Sequence, residues 1–122
     1  MKFSRSDAKY FEKHGAKMWF YFGKDQFPNT GLLFIKVDSG HYEEFWHDKS
    51  TFIYYILEGN GSFYLDGKVV KVKATDVVVI PPRTKIYYLG KMKLLLITTP
   101  AWEEKYEHHV RDILRNTRSK SN

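Results

Sequence analysis

The sequence contains no cysteine. That excludes a disulfide scaffold, a thiol nucleophile and any Cys-ligated zinc or iron–sulfur centre. Long apolar runs are also missing. The longest cover residues 18–22, 77–82 and 94–97, far short of the roughly 18–20 residues of a membrane-spanning helix. The opening Met1-Lys2-Phe3-Ser4-Arg5-Ser6-Asp7 leads into no apolar stretch, so no signal peptide is expected. There is no internal repeat and no low-complexity segment. A soluble, cytoplasmic protein is the expectation, with no membrane partner.

What is present is a 122-residue chain with 9 Tyr, 9 Phe and 3 Trp. That length suits one domain, residues 1–122, large enough to bury a core without staples. The aromatic content favours strands. The net charge of +6 invites a nucleic-acid reading, but the cations sit largely at the ends. Lys2, Arg5, Lys9 and Lys13 lie at the front, and Arg111, Arg115, Arg118 and Lys120 at the back. Basic ends on a small domain read as solvated tails, so nucleic acid is not an expected partner.

Short strands are predicted over 16–22, 32–38, 41–47, 51–57, 62–66, 68–73, 76–80, 85–89 and 92–99. Turn residues divide them: Phe27-Pro28-Asn29-Thr30-Gly31, Ser39-Gly40, Glu58-Gly59-Asn60-Gly61, Asp66-Gly67 and Pro81-Pro82-Arg83. Asp66-Gly67 fits a two-residue hairpin turn, which needs positive φ at both positions. Strands at this spacing specify a sandwich or closed barrel, with its core at about 16–100. The two ends read as helices. Ser6 is positioned to cap a helix over 7–14 that Gly15 ends. Residues 102–116 place Tyr106, Val110, Ile113 and Leu114 on one helical face. Segment 51–57 is apolar on both faces, so the face away from the barrel interior also needs a cover, from the second sheet, a terminal helix or another subunit. A homodimer is expected on that ground.

Residues 45–61, Phe45-Trp46-His47-Asp48-Lys49-Ser50-Thr51-Phe52-Ile53-Tyr54-Tyr55-Ile56-Leu57-Glu58-Gly59-Asn60-Gly61, resemble the first motif of the cupin superfamily. Residues 75–86, Thr75-Asp76-Val77-Val78-Val79-Ile80-Pro81-Pro82-Arg83-Thr84-Lys85-Ile86, look like the second. The resemblance spans about residues 31–100. It implies an all-β double-stranded β-helix, the jelly-roll barrel, here with short N- and C-terminal helices. Cupins typically hold a metal with a His-x-His pair, a glutamate and a histidine from the second motif. In the best-fitting register those positions are Phe45, His47, Phe52 and Ile86, and only His47 retains a ligand. Thr75 and Arg83 replace the usual glycines of the second motif, and moving the pair by one residue gives Trp46 and Asp48. One imidazole does not hold a divalent ion against water. His41, Glu43 and His47 share strand parity, but His41 and His47 are too far apart along an extended strand to share an ion unless it bulges. No metal and no other cofactor is therefore expected.

By parity, Phe45, His47, Phe52, Tyr54, Ile86 and Tyr88 converge where relatives place their metal, with Arg83 at the rim. Mostly apolar walls with few polar tips suit a small organic ligand, sugar-like or otherwise, and a metal-free binding protein is the first functional expectation. The second is a metal-independent sugar or nucleotide-sugar isomerase or epimerase. In it His47 would be the general base, Tyr54 or Tyr88 the proton donor, Arg83 or Lys85 a phosphate contact, and Glu43 the base's partner. The third is a structural module whose basic terminal helix meets an acidic partner. His108 and His109, beside Glu103, Glu104 and Glu107, read as a solvated helix face, and Trp19 and Trp102 as packing anchors.

Overall fold

In the computed structural model, which describes residues 1–114, nine antiparallel strands curl into one barrel. They are β1 (Lys9–Lys13), β2 (Ala16–Phe22), β3 (Gly31–Val37), β4 (Gly40–His47), β5 (Thr51–Leu65), β6 (Lys68–Lys73), β7 (Val77–Ile80), β8 (Ile86–Thr99) and β9 (Glu107–Asp112). The main path runs β1-β2-β3-β8-β4-β9, and β5 pairs with β6, β7 and β8. Alternation builds the core. On β3, Leu33, Ile35 and Val37 are buried while Leu32, Phe34 and Lys36 are half-exposed. Leu94, Leu96, Met92 and Tyr88 do the same on β8, and Phe52, Tyr54 and Ile56 on β5.

Both terminal helices are overturned. The N-terminal segment forms a single 3₁₀ turn, Arg5–Asp7, and then β1. His14 (φ 51°) and Gly15 (φ 92°) make a two-residue left-handed turn that pairs Lys13 with Ala16. That is hairpin geometry, and it joins β1 to β2 over five residue pairs. At the other end only Glu104–Tyr106 is helical, again as one 3₁₀ turn, and β9 follows. Val110 lies within β9 rather than on a helix face, and residues 115–116 of the expected helix lie outside the described residues. The competing force is the open edge of β4, whose unpaired backbone groups β9 satisfies. Side chains add to it: Arg111 Nε donates to Glu44 at 2.8 Å, and the His108 ring stacks on Trp46.

Two expected breaks are strand. Glu58-Gly59-Asn60-Gly61 and Gly90 lie inside β5 and β8, which pair along nearly their whole length with a register shift between Ile56 and Glu58. Here the two backbones approach closely. A Cβ on Gly59 would overlap the Lys91 carbonyl, and one on Gly90 would overlap Asn60 and Gly61. The glycines are there to let long strands pass, not to turn them.

Candidate functional site

A cavity of about 400 Å³ opens into the barrel. Its buried part is formed by His41, Phe45, Phe52, Tyr54 and Tyr88. Phe11, Met18, Phe20, Leu33 and Leu96 form apolar walls, and Lys9, Lys13, Thr98, Trp102 and Glu107 supply most of the polar groups. Sequence reasoning considered His41 only as a metal ligand alongside Glu43 and His47 and centred the site on His47; it missed Phe11, Lys13 and Glu107, which reach the cavity only because β1 and β9 are strands. The His14-Gly15 turn was the available signal for β1. At the mouth, the Glu107 carboxylate accepts from Lys13 Nζ (2.7 Å) and from the Trp102 indole (2.8 Å), which links β1 to β9.

His41, on β4, is 2% exposed. Its ring stacks on Tyr88 (5.3 Å between centroids) and meets Phe45 edge-on. Nδ1 lies 3.2 Å from the Glu43 carbonyl oxygen. A carbonyl only accepts, so Nδ1 carries the proton and Nε2 is a bare acceptor. Burial, and then Coulombic interactions with Lys13 and His14, lower the His41 pKa to about 3. The imidazole is thus neutral across the physiological range.

Tyr54 and Tyr88 are fully buried, their rings 5.4 Å apart and edge-to-face. Burial raises both phenol pKa values, so both stay protonated. The two hydroxyls are close enough to perturb each other, yet among the described residues Tyr88 Oη makes no hydrogen bond of ordinary geometry. An orphaned hydroxyl in such a place costs about 1–3 kcal/mol. It is also a group that a polar ligand would satisfy.

The other sequence candidates lie elsewhere. His47 is buried behind the cavity and does not line it. Its Nδ1 accepts from the backbone N–H groups of Lys49 (3.1 Å) and Ser50 (3.0 Å), and Nε2–H donates to the Glu103 carbonyl (3.1 Å). With both nitrogens engaged, and a pKa lowered chiefly by burial, His47 holds the β4–β5 turn together. Ile86 is core packing outside the cavity. Arg83 is exposed at the β7–β8 turn, where its backbone N–H donates to the His47 carbonyl and its guanidinium to that of Asp48. Trp19 lies on the outer face, between Tyr10 and Phe34 and under the Arg5 guanidinium.

The cupin domain profile matches residues 33–97. The chain belongs to the cupin family. The positions that carry metal ligands in many cupins are here Phe45, His47, Phe52 and Ile86, three hydrocarbon or aromatic side chains and an imidazole already bound on both sides. Among the described residues no three His, Asp or Glu side chains converge to hold an ion. The residues do not fit a cupin metal.

This cupin is similar over 93% of both chains to Streptomyces Pac13, described as a nucleoside dehydratase, at 36% identity and a TM-score of 0.89. Variants of that protein have been solved with uridine, one with histidine replaced by glutamine and two with tyrosine replaced by phenylalanine. An uncharacterised protein of Methanocaldococcus jannaschii is 40% identical over 72 residues, 56% of this chain and 54% of that one. The match thus spans about half the length of that curated relative. The polyketide cyclase RemF of Streptomyces resistomycificus shares the fold alone, at 16% identity and a TM-score of 0.72 over 95% of this chain and 87% of that one.

Proposed function

We propose that this cupin binds a nucleoside in the His41–Tyr54–Tyr88 cavity and catalyses loss of water from it without a metal. One observation carries the reading. The histidine and two tyrosines varied in Pac13 are spaced by 13 and 34 residues, and His41, Tyr54 and Tyr88 have the same spacing and order. Here those three line one cavity. Its volume lies within the usual range for small-molecule sites, roughly 300–1,000 Å³, and its apolar walls suit the flat faces of a base and a sugar.

The chemistry follows from the protonation states. His41 Nε2, neutral and unprotonated, accepts a proton from a substrate carbon acidified by a neighbouring electron-withdrawing group. The electron pair left behind forms the double bond, and the C–O bond at the next carbon breaks. The departing oxygen takes the proton from the His41 imidazolium, a strong acid in this setting, and leaves as water. No oxidant or reductant is consumed. Tyr54 and Tyr88, held protonated by burial, are donors for negative charge developing on a substrate oxygen. The His47-based isomerase reading lacks a free base, since both His47 nitrogens are occupied.

Uridine titration by calorimetry or NMR, and mass spectrometry of a nucleoside panel that includes sugars bearing a carbonyl, test the proposal. Expected are uridine binding, loss of one water from at least one nucleoside, insensitivity to chelator, and abolished turnover in His41→Gln. Uridine binding without water loss across the panel would make this a binding protein. Neither binding nor water loss would overturn the reading.

A further inference from the structure

We infer that Glu43 is a positioning residue for His41, a role that rests on the assignment of His41 as the base. β4 does not run regularly past the cavity. It pairs with β8 at His41↔Tyr88 and next at Phe45↔Ile86, so four steps on β4 answer two on β8. In that irregular stretch Glu43 and Glu44 are consecutive and both buried, at 5% and 6% exposure. A regular strand would point one of them outward. The distortion also turns the Glu43 carbonyl back toward the ring two residues earlier, where it takes the Nδ1 proton of His41. That contact, with a weaker one to the backbone of His41 itself, favours the tautomer that leaves Nε2 bare.

The Glu43 side chain is what pins this stretch. Its Oε2 accepts from His109 Nδ1 at 2.8 Å, from β9. Its Oε1 lies 3.3 Å from His14 Nε2, on the β1–β2 turn, but not along a hydrogen-bond direction, and has no other partner. The same turn is tied to β4 by the Tyr42 N–H, which donates to the His14 carbonyl at 2.8 Å. His14 also stands edge-on to His41, 5.8 Å between ring centroids. A buried carboxylate between two imidazoles therefore locks three elements around the residue whose carbonyl orients the base. Glu44 offers a control built into the same strand. It is equally buried, but its partner is Arg111 rather than a histidine.

The test is the tautomer of His41, read by long-range ¹H–¹⁵N correlation NMR at neutral pH, together with steady-state kinetics on whichever nucleoside is dehydrated. The wild type should show the Nδ1–H form. Glu43→Gln should move a substantial fraction to Nε2–H and lower kcat about tenfold with KM within twofold, because binding groups are untouched. Glu44→Gln should keep the tautomer and kcat while losing comparable thermal stability. A Glu43→Gln protein with unchanged tautomer and kcat would overturn the proposal, and so would equal tautomer shifts in both variants. If Glu43→Gln does not fold, His109→Leu, which removes the same anchor from the β9 side and leaves no donor, supplies the readout. If no nucleoside is dehydrated, the assignment of His41 as base fails, while the tautomer result still decides what Glu43 does.

Discussion

Tyr88→Phe removes one oxygen, buried in the cavity and, among the described residues, without a hydrogen bond of ordinary geometry. The ring stays where it is, between Phe63 and His41, both stacked against it. Volume and apolar packing are therefore nearly conserved, and the change isolates the hydroxyl. An unsatisfied buried polar group costs about 1–3 kcal/mol. Part of that is recovered where water enters the cavity, so the free protein should gain about 1–2 kcal/mol. For a domain of this size that raises Tm by roughly 4–8 °C. The ligand effect should have the opposite sign. If the hydroxyl is kept for a nucleoside, saturating uridine will raise the Tm of the wild type more than that of Tyr88→Phe, because only the wild type gains the missing hydrogen bond. Calorimetric melts of both proteins, with and without uridine, read both quantities. An unchanged or lowered Tm in the free variant, with an equal shift on adding uridine, would refute the reasoning.

Acid should probe His41 directly. In the unfolded chain this histidine titrates near 6.5, and in the folded protein near 3. Between those values the unfolded state binds a proton that the folded state does not. Stability is therefore full above about pH 6.5 and lost as pH falls, by up to about 1.4 kcal/mol per pH unit. Urea melts from pH 7 to 4.5 should show that slope, and His41→Gln should flatten it; an equal slope in the variant would refute the assignment. His47→Ala, by contrast, strands two backbone N–H groups and a carbonyl, and should cost about 3 kcal/mol in a denaturant melt while leaving uridine affinity within a few-fold. The outer face of β5 and β7 leaves Tyr55, Leu57, Val77 and Val79 exposed, the place where a second copy would dock. Light scattering should show a dimer that Val79→Lys splits without changing Tm by more than about 2 °C, and a monomeric wild type would remove the expectation.

Local chemistry made much of this fold legible. β2 and β6 begin and end where the sequence places them, over 16–22 and 68–73. Asp66 (φ 51°) and Gly67 (φ 83°) form the two-residue turn their types require. What failed was non-local. A capping serine and a 3.6-residue apolar stripe argue for helices at the two ends, but neither knows that an open strand edge lies beside it. Residues 58–61 have the composition of a turn, yet their glycines answer to a carbonyl thirty residues away on β8. The site follows the same division. Parity puts Phe52, Tyr54 and Tyr88 on the interior face, which a single strand reveals. His41 shares that parity, but the family motif centres on His47, and only the pairing of β4 with β8 shows that His41 rather than His47 stands beside Tyr88.

The passage of β5 against β8 has a practical consequence for anyone who wishes to cut or extend this chain. Segments rich in glycine usually invite insertion, since they read as surface loops. At Gly59 and Gly61 the backbone is wedged against Leu89, Lys91 and Met92, so even a single added residue there would shear the longest strand pair and, through Tyr88, the cavity itself. Gly67 is the opposite case, with nothing within 4 Å of where a side chain would begin. A tag, a fluorophore or new chain ends belong on the Gly67 side of the Asp66-Gly67 turn, because Asp66 itself is held to Lys85 beside β8 by its backbone N–H and its carboxylate.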